Sequence, residues 1–142
     1  MEFHPDKIIK VKSTKIVEQY FELEEQYQKK FTNTKKLCIF MRVGDFYEVY
    51  GLENKTTGQL EKDTLWKLID DLIIKISPKN QTVYNNKNLT VYMGGVPVIS
   101  RDKYVNMAVE DYGWTIILIN QHGEDKNIIR YEEAIISPGL NN

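Results

Sequence analysis

At 142 residues and 42% hydrophobic content, the chain is long enough for one globular domain with a true core and too short for two. Its 19 Lys and Arg nearly balance 20 Asp and Glu, for a formal net charge of -1. Sequence-independent nucleic-acid affinity comes mainly from cations that displace counterions, so any such contact here must be local or shared with other domains.

The opening dozen residues, with Lys7, Lys10 and Lys12, read as a flexible basic arm over 1–12 or an initial short strand. A single domain is expected over 13–142. From a Ser13 or Thr14 cap, Ile16, Tyr20, Leu23, Tyr27 and Phe31 recur at helical spacing and form one apolar stripe. Glu18, Glu22, Glu24 and Glu25 are expected to face mostly away from it, and Lys29 and Lys30 complement the negative end of the helix dipole. KKLCIFMRV follows as a strand buried on both faces. Gly44-Asp45 then supplies a hairpin turn into FYEVY.

Residues 51–58 read as a loop. Leu60, Leu65, Leu68, Ile69 and Leu72 suggest a helix that gives way to a β-branched strand, LIIKIS, closed by Pro78. TVY and LTVYM flank Asn85-Asn86-Lys87-Asn88 as a second hairpin or a long Asn-rich flap over 80–90, and Gly94-Gly95 with Pro97 is expected to break the pattern. Ser100 can cap a helix whose apolar face is Tyr104, Val105, Ala108, Val109 and Tyr112, with Gly113 ending it. WTIILIN is a central strand, HGEDK a polar turn, and NIIRYEEAIIS a last strand stopped by Pro138-Gly139. Interleaved strands and helices with hairpins define an α/β fold: a mixed β-sheet with flanking helices.

Residue sets that carry catalysis are sparse. One cysteine and two distant histidines, His4 and His122, do not supply a zinc site. Cys38 lies inside the apolar run LCIFM, which excludes an internal disulfide framework, makes it a small core hydrophobe and points to a reduced, intracellular setting. No P-loop string occurs, and Gly94-Gly95 reads as a tight turn or close backbone packing. The acidic pairs Asp70-Asp71, Glu110-Asp111, Glu124-Asp125 and Glu132-Glu133 could each offer magnesium a ligand, but adjacent acids on a helix or strand point in different directions, which favours a solvated surface. No run is long enough to span a membrane, so a soluble domain is expected.

In MRVGDFYEVY, residues 41–50, Phe46 and Glu48 are two apart on a strand and share a face just past the turn. Composition alone favours Phe46 in the core, with Glu48 on the rim or paired with Arg42 or a lysine. The alternative is a ring and a carboxylate presented together to a ligand.

This segment closely resembles the hallmark Gly-Asp-Phe-Tyr-Glu stretch of the N-terminal mismatch-recognition domain of the MutS DNA mismatch-repair family. KIVEQYFELEEQY is similar to that family's leading helix, MGGVP to its Met-small-Gly-Ile-Pro turn, RDKYVNMAVEDYGWTIILINQHGED to the following helix and strand, and AIISPG to the closing strand. Residues 51–92 match least. The resemblance implies that Phe46 wedges into the minor groove and stacks on a mispaired base while Glu48 hydrogen-bonds that base. Basic residues near the tip could contact phosphates: Lys79, whose place after LIIKIS resembles a basic position in the family, comes first, with a solvated loop lysine as its other reading, and Lys35, Lys36 and Arg42 follow. The resemblance also implies no catalysis by this chain, with mismatched double-stranded DNA and the remaining domains of a MutS-like protein as partners. A dimeric clamp, with ATP and magnesium bound in its ATPase, is expected only of the full-length protein. Two other readings stay open: a diverged module that binds branched or undamaged DNA or a protein partner, and a magnesium-dependent nuclease-like domain.

Overall fold

The structure, a computed structural model, describes residues 4–139. Among these, seven strands form one mixed sheet with helices packed against it: β1 (Leu37–Val43), β2 (Phe46–Asn54), β3 (Leu60–Lys62), β4 (Ile76–Lys79), β5 (Leu89–Pro97), β6 (Thr115–His122) and β7 (Ile129–Ile136). The main path runs β4-β5-β2-β1-β6-β7, with β3 paired to β2 beside it. Only β1 and β6 pair in parallel, as expected where a long connection containing a helix separates two neighbours.

The helices are α1 (Ile16–Lys30), α2 (Thr64–Asp71) and α3 (Arg101–Asn106), the last continuing into a π-helical turn over Met107–Asp111. The periodic stripe of α1 does enter the core, where Tyr20 and Leu23 are completely covered and Val17, Phe21 and Tyr27 join them. Lys15 rather than Ser13 or Thr14 occupies the position before the first turn, and no side chain caps it. Ser13 and Lys12 instead donate their backbone N–H groups to Glu22 at 2.8 and 2.7 Å. Glu24 does not face away as expected; it is 4% exposed.

Three further expectations change. Of the segment read as a loop over 51–58, residues 51–54 continue β2, which pairs with β5 without interruption from Phe46↔Pro97 to Asn54↔Leu89, and only 55–58 form the turn that follows. Gly94-Gly95 therefore does not break a strand. Gly94 and Gly95 permit close packing: a Cβ at Gly94 would lie 3.0 Å from Leu65 Cδ1, and one at Gly95 3.0 Å from the Tyr47 carbonyl oxygen. The strand read in LIIKIS starts only at Ile76 and runs through Pro78, which an edge strand tolerates because its missing N–H faces away from the ladder.

Of the arm expected over 1–12, residues 1–3 lie outside the described residues. Ile8 bridges Tyr131, and the Ile9 N–H donates to the Arg130 carbonyl at 3.0 Å. Ile9 and Val11 thus lie along β7 and pack on the core. In the Asn-rich flap, Val83 is buried and bridges Asn86, while Tyr84 and Asn85 adopt left-handed φ values of 54° and 52°. The Tyr84 N–H reaches Glu18 Oε2 at 3.3 Å, so the flap docks on α1.

Candidate nucleic-acid interface

The β1–β2 hairpin closes through Gly44-Asp45, with Gly44 at φ +62° and Val43 directly opposite Phe46. A left-handed residue in a two-residue turn is where glycine serves best. The tip is braced from both sides. The Gly44 N–H donates to Gln121 Oε1 at 3.4 Å, and the Val98 N–H donates to the Asp45 carbonyl at 2.9 Å. Such bracing limits how far the turn can relax when it is loaded.

Strand alternation then divides the residues that follow. Tyr47 points to the covered face: it is 1% exposed, its hydroxyl accepts from Arg101 Nη1 at 2.8 Å, and the guanidinium lies 5.2 Å from its ring centroid. Arg101 also pairs with Glu133 at 2.9 Å, and Glu133 accepts from Asn120 at 2.7 Å. Burial raises the Tyr47 pKa, opposed by the hydrogen bond from Arg101. This network fixes the start of β2 from one face.

On the other face Phe46 is 47% exposed as a residue, and Glu48 is half-buried. The composition-based expectation of a core Phe46 is thereby overturned. With Tyr47 and Val49 filling the opposite face and α1 covering β2 only further along, the first ring of the strand has nothing above it to complete its burial. Glu48 sits opposite Met41 on β1 and Gly95 on β5. Its partner is neither Arg42 nor a lysine: the Tyr50 hydroxyl donates to Glu48 Oε1. Burial lowers the Arg130 pKa, opposed by the nearby Tyr50 and Glu48.

Beside this face lies an open groove of about 430 Å³ bordered by Val43, Glu48, Tyr50, Lys79, Asn80 and Gln81, with the first turn of α1 contributing Ile16 and Val17. The structure therefore brings Lys79 to the same groove as Glu48, exposed at the end of β4. It does not bring Lys35 and Lys36 there. They precede β1 at the end away from the tip, roughly 20 Å off by the rise of a strand. Lys36 is engaged with Asp71 Oδ2 and the Tyr112 carbonyl, both at 2.9 Å. Arg42 is near the tip but pairs with Tyr47 in register and so lies on the opposite face from Phe46, donating to the Gly44 carbonyl at 3.0 Å and Asn120 Oδ1 at 3.4 Å.

Of the paired acids, Asp71, Glu132 and Glu133 are held by structural partners. Asp71 accepts from Lys36 and Trp114, Glu132 from Tyr27, and Glu133 from Arg101 and Asn120. Among the described residues no three His, Cys, Asp or Glu side chains come together as a metal-ligating group, and no helix is long and apolar enough to cross a membrane. Cys38 is buried, and burial pushes its thiol well above the ordinary range, so it stays protonated.

Fold and site together define a mixed α/β domain whose braced hairpin presents one half-exposed aromatic ring beside one carboxylate. The chain belongs to the MutS domain I family, whose profile matches residues 14–140. Among relatives, it is 31% identical over 134 residues to the DNA mismatch repair protein MutS of Lactobacillus johnsonii, covering 89% of this chain and 13% of that protein. To the MutS protein of Lactobacillus delbrueckii subsp. bulgaricus it is 30% identical over 115 residues, 80% of this chain and 11% of the relative. To that of Thermodesulfovibrio yellowstonii it is 25% identical over 130 residues, with 89% and 13% covered. The chain thus spans about an eighth of the length of these relatives.

Proposed function

We propose that this domain recognises mispaired bases in double-stranded DNA, with Phe46 as the wedge and Glu48 as the group that hydrogen-bonds the displaced base. The observation that carries the reading is Phe46, 47% exposed at the tip of a hairpin whose neighbouring residue, Tyr47, is locked in place. Prying a base step apart costs a few kcal/mol. A mispaired base has already lost part of that stability, so the same ring enters a mismatch at lower cost than a matched pair. Stacking returns about 1–3 kcal/mol.

Glu48 adds discrimination. A carboxylate near phosphates is repelled, so it disfavours matched duplex and is compensated only where a displaced base offers a hydrogen bond. Lys79, on the same groove, is the first candidate for a phosphate contact. Its position supports that role better than those of Lys35 and Lys36 at the far end of β1. The domain acts by binding rather than catalysis. In a complete MutS protein the other domains would supply a dimeric clamp and an ATPase that uses ATP and magnesium, and the site of action would be chromosomal DNA inside the cell.

The test compares a duplex carrying one mismatch with the matched duplex, using the full-length protein and its Phe46→Ala variant in a fluorescence-anisotropy titration. The reading predicts that the mismatch preference collapses toward unity in the variant. An unchanged preference would overturn it.

A further inference from the structure

The alternation that places Phe46 and Glu48 on one face of β2 puts a third side chain on it, Tyr50. Unlike Phe46 this ring cannot swing. It is 4% exposed and meets Tyr20 edge-on, with centroids 5.2 Å apart at 82°. Tyr20 is itself completely buried and donates its hydroxyl to the Ile39 carbonyl at 2.8 Å, which ties the pair to β1. From this anchored position the Tyr50 hydroxyl donates to Glu48 Oε1. Burial, then the hydrogen bond to Glu48, raises the Tyr50 pKa far above its ordinary value, so the phenol stays protonated and remains a donor.

A solvent-facing glutamate samples many rotamers and loses that freedom when it binds. A recognition group held in place beforehand avoids the loss at the moment of binding. We propose that Tyr50 is a positioning residue for Glu48, holding one carboxylate oxygen so that the other is presented to a single polar atom of a displaced base. The inference deepens the proposed function and rests on the role given there to Glu48. It also assigns the contacting oxygen. With one acceptor site of Oε1 taken by the Tyr50 hydroxyl, Oε2 is the carboxylate oxygen left without that constraint and is the one presented to the base.

A double-mutant cycle in the full-length protein tests this, reading the ratio of mismatched to matched duplex affinity in wild type, Tyr50→Phe, Glu48→Ala and the double variant. Tyr50→Phe keeps the ring contact with Tyr20 and removes one oxygen. It is expected to lower the ratio roughly three- to tenfold, the scale of an oriented hydrogen bond to a charged group. In the Glu48→Ala background it is expected to change nothing further, because a residue that acts through Glu48 has no effect once Glu48 is gone. An equal loss in both backgrounds would assign Tyr50 to packing alone and overturn the proposal, as would no loss in either. If Glu48→Ala itself leaves the ratio unchanged, the role of Glu48 fails and the positioning role falls with it. If Glu48→Ala lowers the ratio and Tyr50→Phe does not, only the positioning role falls. Should Tyr50→Phe fold poorly, a crystal structure of the wild-type domain decides: Glu48 in a rotamer away from the Tyr50 hydroxyl would overturn the proposal.

Discussion

Replacing Glu24 with glutamine is expected to stabilise the domain near neutral pH, although the wild-type side chain is deep in the fold. Glu24 is 4% exposed, and its Oε2 has no hydrogen-bond partner among the described residues. Burial raises its pKa, opposed by the nearby Lys62 and by a hydrogen bond from Thr64, with Asp63 and Glu25 raising it further. The sign follows from proton counting. Unfolded, the carboxyl titrates near 4.3; folded, it holds its proton to a higher pH. Between those two values the folded state binds more protons, so stability falls as pH rises through that window, and below it the penalty is absent. An unpartnered buried polar atom costs about 1–3 kcal/mol and more when charged, so the neutral amide recovers the excess, about 1 kcal/mol at pH 8. For a domain of this size that raises the Tm by roughly 3–4 °C. Thermal melts of wild type and Glu24→Gln at pH 4 and pH 8 measure it. A difference independent of pH, or a variant less stable at pH 8, would refute the reasoning.

Other perturbations separate structure from binding. Gly51→Ala drives a Cβ into the Trp66 ring and is expected to cost about 1–3 kcal/mol in a denaturant titration, the range for overpacking a well-filled site. Lys79→Ala in the full-length protein should weaken mismatched and matched duplex alike and reduce the slope of log affinity against log salt by about 1. A changed mismatch preference with an unchanged slope would contradict a phosphate role. With a net charge of -1, the isolated domain is expected to bind DNA weakly, and salt-resistant, tight binding by the fragment alone would contradict that expectation.

What the sequence made legible follows from which residues have only one physical use. The 3.6-residue spacing of Tyr20, Leu23 and Tyr27, the doubly apolar run of β1 and the turn at Gly44-Asp45 can serve few other structures, and each lies where its pattern placed it. Glu24 departs from its pattern because a glutamate is exposed by default, and its burial is decided by neighbours distant in sequence such as Thr64. Parts of 51–79 outside α2 depart from their local pattern for a related reason. Leu72 and Ile74 have strand-like character, yet they pack between α2 and the sheet, with Ile74 against Gly94, before β4 begins. Tertiary packing overrode local propensity there. Of the two readings of Gly94-Gly95, a tight turn or close backbone packing, the second holds, within a nine-residue strand that they do not break.

The site divides in the same way. That Phe46 and Glu48 share a face is a property of any strand, but the exposure of Phe46 depends on where α1 begins relative to the hairpin tip, which local sequence does not encode. The resemblance pointed outward where composition pointed inward. Tyr50 was in plain view at the next alternate position, and the same period-two rule that paired Phe46 with Glu48 would have found it as the partner of Glu48.

The most direct measurement of the central idea is a photocrosslink. A duplex with 5-iodouracil as the mispaired base, bound to the full-length protein and irradiated, yields a crosslinked peptide that mass spectrometry can assign. If the half-exposed ring enters the duplex at the mispair, the adduct falls on Phe46 and disappears when the same base is correctly paired. An adduct on another segment, or equal yield from mispaired and paired duplex, would contradict the account.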